Sequence, residues 1–249
     1  MVDQTLRNTP YSLVALKEHW HAISADFSAS YADCHAVFDA ITHASSPISQ
    51  AIAGRKALAP NCAYLLLAKS LNHAFATLTL LEHGLIIDAG LTSRNGVETL
   101  LLLELLSKRQ ELCEKWAAGK KFQPGEVRKQ LGQLPSVTVG DLIINVTSDE
   151  YNDIKFAYDW LSRITHANLE SLEHTVISTG HNTFAIHVGG ALSRPTIVAI
   201  TITLGVSFLR ALLTCSATHT PKLLESHKNN FALLEERVKS LSPRPCYEL

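Results

Sequence analysis

Residues 90–106 read GLTSRNGVETLLLLELL. At the roughly 100° per residue of an α-helix, Ile87, Leu91, Arg94, Glu98, Leu101, Leu102 and Leu105 fall on one stripe, with the two charges at its centre. From about 85 to 118 the chain is apolar on nearly every side around Leu100 to Leu106, the pattern of a helix enclosed by other helices. That reading predicts an all-α, multi-helix bundle with this segment as its central helix. The segment closes at WAAGKK, where Gly119 is suited to a helix stop and the lysines suit the helix dipole.

Towards the N-terminus, residues 62–83 form a second helical run followed by Gly84. Residues 12–44 repeat apolar positions at three and four, which predicts one long or two shorter helices, and the looser SSPISQAIAGRKALAPN follows at 45–61. Towards the C-terminus, FQPGEVRKQLGQL reads as a turn and a short helix starting near Pro124. PSVTVGDLIINVTSDEYNDI is β-branched and punctuated by Gly and Asp, so a loop with a short extended piece is expected. A helix at about 149–174, a small β-hairpin near 175–188, and helices at 195–217 and 221–240 complete the expectation, with SPRPCYEL as a frayed tail. No repeat or composition break divides the chain. It reads as a single helical domain over 1–249: N-terminal helices and loop at 1–61, a core at 62–174, and the hairpin with closing helices at 175–240.

At 249 residues, 46% apolar and 18% charged, the chain is long and apolar enough to bury a substantial core. A formal net charge of -1 gives no global attraction to nucleic acid or anionic lipid, so any such contact needs a local patch. Five dispersed cysteines without a CxxC argue against a disulfide framework or a structural zinc site. MVDQTLRNTP does not read as a secretory signal, and a reducing cytoplasm is the default location. PTIVAITITLGVSFLRALLTC at 195–215 is nearly long enough to span a bilayer, but it would place Arg210 inside the span. A buried helix is the better reading, and no membrane contact is expected.

Charges on a buried stripe are costly unless paired, and a spacing of four lets Arg94 and Glu98 meet. The pair is either a structural ion pair or part of a pocket in which Arg94 holds an anion and Glu98 orients it. On the helix at 149–174, Tyr158, Ser162 and His166 recur every four residues as a polar ladder with Arg163 beside it. His166 is a candidate acid or base because imidazole titrates near neutral pH. Lys115, Lys120, Lys121, Arg128 and Lys129 could meet phosphates, although Glu114 and Glu126 interrupt them and a solvated face is the commoner explanation. EHWH supplies one ExxH where a di-iron bundle needs two. HExxH, GxxxxGK[ST] and GxSxG are all missing, and the twelve histidines are scattered, so neither metal nor cofactor is expected.

GLIIDAGLTSRNGVETLLLLELL, KWAAGKKFQPGEVRKQL and YDWLSRITHAN, in that order over about 84–168, resemble a group of bacterial helical proteins related to the HEPN superfamily. The shared pattern is an Arg-x-x-x-Glu helix, a Trp and Gly, a Pro-containing segment with Arg and Leu, and a Tyr-x-x-Leu-Ser-x-x-x-His helix. The superfamily includes metal-independent endoribonucleases as well as non-catalytic nucleotide-binding or scaffold members. The resemblance implies a helical bundle in which Arg94, Glu98, Tyr158, Ser162 and His166 share a pocket, a homodimer, and an RNA or nucleotide ligand. It also implies a role in stress or phage defence. In the nuclease alternative, His166 would act on the 2′-hydroxyl proton or the leaving group, with Arg163 or Arg94 steadying the phosphate. Only Ile164 and Thr165 separate Arg163 from His166, a shorter spacing than in the ribonucleases, and this favours the ligand- or partner-binding reading.

Overall fold

The computed structural model describes residues 28–133, 137–139, 142–144, 158–159, 161–162, 176–180, 183–186 and 194–241. Helix α1 is Ser28–Ile52 and runs through Pro47. The stretch at 45–61 expected to be loose is therefore helical as far as Ile52. A proline at 47 cannot donate to the carbonyl of His43. That carbonyl instead accepts from Asn230 Nδ2 at 3.5 Å, across the bundle.

Helix α2, Leu58–Glu82, and helix α3, Ile86–Lys108, form an antiparallel pair joined by a tight turn. Gly84 has φ 72°, donates to the Leu81 carbonyl at 2.9 Å, and lets Leu85 donate to Leu80 at 2.9 Å. This is the Schellman arrangement, which favours glycine because the φ is positive. The same geometry recurs at Gly119, φ 92°, where Lys120 donates to Lys115 and Gly119 to Trp116, both at 2.9 Å.

The apolar run at 85–118 is not one helix. It breaks at Arg109, which has φ -124° and ψ 68°, and resumes as α4, Leu112–Ala117. The kink carries no Gly or Pro to announce it. It is held by an Arg109–Glu111 ion pair and a Leu112 N–H to Arg109 carbonyl bond of 2.9 Å, and it returns Leu112 and Cys113 to the core. Helix α5, Pro124–Leu131, begins on the proline as expected.

Strands β1, Val137–Val139, and β2, Leu142–Ile144, pair antiparallel, as do β3, Val176–Gly180, and β4, Thr183–Ile186. Helix α6 is Arg194–His219. The closing helix expected at 221–240 is instead α7, Pro221–Leu224, a 3-10 turn at Glu225–His227, and α8, Lys228–Leu241.

Helix α3 is the central element of the all-α bundle: α2, α5 and α6 all pack on it, and α1 and α8 close over α6. Leu100, Leu103, Leu105 and Leu106 of α3 are fully buried with Leu67 and Leu81 of α2, Phe208 of α6 and Phe231 of α8. Polar residues at 196, 201, 203 and 207 of α6 are buried too; Thr201, Thr203 and Ser207 return their hydroxyls to carbonyls one turn back, at 2.7–2.9 Å. Thr196–His219 is long and apolar enough to cross a membrane, yet 83% of its most apolar window is buried inside the bundle.

Candidate functional site

Arg94 and Glu98 sit one turn apart on α3, and Arg94 Nε donates to Glu98 Oε1 at 3.2 Å. Both keep about a fifth to a quarter of their side-chain surface exposed, at 22% and 25%. They therefore lie at the edge of the bundle, not on a buried stripe. Leu91, one turn earlier, is exposed, whereas Leu101 and Leu105 are buried, so the stripe runs from solvent into the core.

Tyr158 reaches this pair from 60 residues away, and its phenol donates to Glu98 Oε1 at 2.6 Å. Arg94 donates to the phenol oxygen from Nε at 3.4 Å and from Nη2 at 3.3 Å. The oxygen thus both gives and receives, closing a three-membered polar ring. Burial pushes the phenol pKa above its ordinary value, and the hydrogen bond to Glu98 pushes it the same way against the opposing influence of Arg94. Burial alone would lower the Arg94 guanidinium, but its bonds and attraction to Tyr158 and Glu98 outweigh this and raise it.

Arg128 of α5 completes the cluster. Its guanidinium carbon lies 3.9 Å from the Tyr158 ring centroid, against 5.4 Å for that of Arg94. Arg128 Nη1 lies 3.6 Å from Asp159 Oδ1, which is an ion pair too long to count as a hydrogen bond. Two guanidiniums therefore bracket one tyrosine while each stays partly open to solvent, 22% for Arg94 and 20% for Arg128.

Of the residues singled out in the sequence, Arg94, Glu98 and Tyr158 are in direct contact. Tyr158, Asp159, Leu161 and Ser162 are helical, and half-buried Ser162 follows Tyr158 by one turn. Arg163, His166 and the remainder of the helix expected at 149–174 lie outside the described residues. Arg128 belongs to the site, although the sequence grouped it with the lysines. Of that group, Lys120 reaches Glu126 at 3.4 Å and stacks on Phe122 at 4.7 Å.

A second polar cluster lies deeper and was missed as a unit. Arg210 of α6 places Nη2 3.2 and 3.1 Å from the two Glu104 oxygens, and Lys108 Nζ reaches Glu104 Oε1 at 2.9 Å. Glu104 is 2% exposed and Arg210 6%. The only sequence signal was two charges inside apolar runs, with nothing to show that they face each other. Among the described residues, no group of His, Cys, Asp and Glu is arranged to hold a metal ion. Cys62 and Cys113 bring their thiols together in the core, and burial pushes Cys113 up to about 12, so neither is poised as a nucleophile.

No family model, curated protein or solved structure matches the chain.

Proposed function

We propose that this chain is a HEPN-like, cytoplasmic, ligand-binding protein whose Arg94, Glu98, Tyr158 and Arg128 hold a phosphate-bearing ligand, an RNA or a nucleotide. The observation that carries this reading is the convergence of two partly open guanidiniums on a single tyrosine. Arginine offers planar, bidentate donors matched to phosphate, and Tyr158, buried to 5% exposure, positions both guanidiniums. Glu98 serves as the internal counterion that keeps Arg94 extended along the helix until an anion competes for it. A role in bacterial stress or phage defence accords with the same resemblance.

The test is binding of a fluorescein-labelled single-stranded RNA and of ATP, read by anisotropy and calorimetry. Loss of one charge-assisted contact is worth about 1.5–3 kcal/mol, so Arg94→Gln or Arg128→Gln should weaken binding roughly tenfold or more. Wild-type protein that binds neither probe, or variants that bind as tightly as wild type, would refute this assignment. RNA cleavage in the presence of EDTA by wild type, abolished in His166→Ala, would replace it with the endoribonuclease alternative.

A further inference from the structure

The buried cluster of Glu104, Lys108 and Arg210 sets two cations against one carboxylate. It lies six residues beyond Glu98 along α3, about 9 Å on and about 120° round the helix, so it is separate from the site around Tyr158. Arg210 reaches it from α6 and is 6% exposed, Glu104 is 2% exposed, and the Lys108 side chain 11%. Among the described residues no other acidic group pairs with Arg210 or Lys108. Lys108 Nζ and Arg210 Nη2 share one oxygen, Glu104 Oε1, at 2.9 and 3.2 Å, so two positive charges stand side by side where little water screens them.

The excess charge is matched by unused donors. An arginine facing a carboxylate commonly engages it through two nitrogens. Here Nη2 alone spans both Glu104 oxygens, at 3.2 and 3.1 Å, and Nε and Nη1 have no hydrogen-bond partner among the described residues. Charged donors left unpaired in an interior are costly. Water would satisfy the donors but not the charge. The C-terminal turn of α3 carries a partial negative charge of about half a unit, which suits Lys108 but bonds neither free Arg210 nitrogen. A monovalent anion answers both needs, and the imbalance of a single charge selects it over a dianion, which would overcharge the cluster in the opposite sense. Lys108, in the last turn of α3 beside exposed Arg109, gives such an ion its way in.

We infer that this cluster is a binding site for one small monovalent inorganic anion of the chloride class, bonded to Arg210 and balanced by Lys108. The ion joins the network that links α3 to α6. This site is independent of the ligand-binding assignment.

Urea titrations in sodium chloride and in sodium gluconate at equal ionic strength test it, because surface ion pairs are screened alike by both salts. An ion held only by the folded chain stabilises it by mass action. The folding equilibrium constant of wild type should therefore rise with chloride but not gluconate, approaching about tenfold for each tenfold increase once the site fills. Lys108→Met and Arg210→Gln each leave one cation with Glu104, and each should lose the response. Lys108→Met lies at the edge of the cluster and keeps the α3 to α6 ion pair, so it folds even if Arg210→Gln does not. Glu104→Gln leaves two cations and no carboxylate, and should respond at lower chloride than wild type. A wild type indifferent to chloride, or a Lys108→Met protein that responds as wild type does, would overturn the inference. Loss of the response in Arg128→Gln would overturn it too, because the anion would then belong to the cluster around Tyr158.

Discussion

Tyr158 is the residue on which the candidate site turns, because among the described residues its oxygen is the one atom bonded to both Arg94 and Glu98. Tyr158→Phe keeps the ring against Arg128 and removes only that bridge, so its cost is one hydrogen bond to charged groups in a partly exposed setting, about 1.5 kcal/mol. A urea titration should show a lower midpoint at unchanged slope. The pH dependence has a definite sign. The folded phenol has a raised pKa, so its contribution is complete below its ordinary value of 10.0 and is lost as pH rises through the folded value. The gap between wild type and Tyr158→Phe should therefore shrink in alkaline urea titrations. The histidines run the other way. His73 and His219 are lowered from the usual 6.5, first by burial and then by Lys69 and Arg55 respectively. Their fold is favoured with neutral rings, so stability should be intact above that value and decline as pH falls below it; His219→Gln should flatten the decline between about pH 7 and pH 5. At this scale the sequence revealed Arg94 and Glu98, since a four-residue spacing is local. That Arg128 stacks on Tyr158 depends on how α5 docks on α3, which no local spacing encodes.

Among the elements, α6 shows what periodicity conveys and what it hides. Its existence and extent were legible at 195–217 because a long run with one charge has few alternatives, and the end of α2 and the start of α5 were legible from Gly84 and Pro124, whereas Gly119, read as the end of the central helix, closes α4 instead. The break at Arg109 and the 3-10 turn at Glu225–His227 were not, because the residues at both are acceptable helix formers and neither contains a Gly or Pro. Nor could the sequence reveal how closely α6 approaches its neighbours. A Cβ at Gly205 would sit 2.5 Å from Val238 Cγ2 of α8 and 3.2 Å from Val37 Cγ1 of α1. Gly205→Ala would normally favour a helix, but here the three helices must separate, and overpacking of this kind costs about 1–3 kcal/mol. Thermal unfolding should record a lower midpoint for Gly205→Ala and a partial recovery in Gly205→Ala with Val238→Ala. If the losses of the two single changes simply add, the close approach is not what limits the site.

For the molecule as a whole, the Glu104, Lys108 and Arg210 cluster ties the two most buried helices together, and it does so with more positive than negative charge. Arg210 Nη2 is committed to Glu104, but Nε and Nη1 have no hydrogen-bond partner among the described residues. Burying ions is expensive, and an ion pair offsets that expense only while both partners remain. Glu104→Gln preserves shape but strands two cations, one of them 94% buried by its 6% exposure, and should cost about 3–5 kcal/mol. Replacing both partners of the inter-helix pair, Glu104→Leu with Arg210→Met, removes the burden along with the attraction and should be far less damaging than Glu104→Gln, or even stabilising. Chemical denaturation of the three proteins separates the possibilities. If the double variant is as unstable as the single one, the cluster contributes net attraction between α3 and α6. If it is restored, the charges fix which faces of the two helices meet instead of adding net stability.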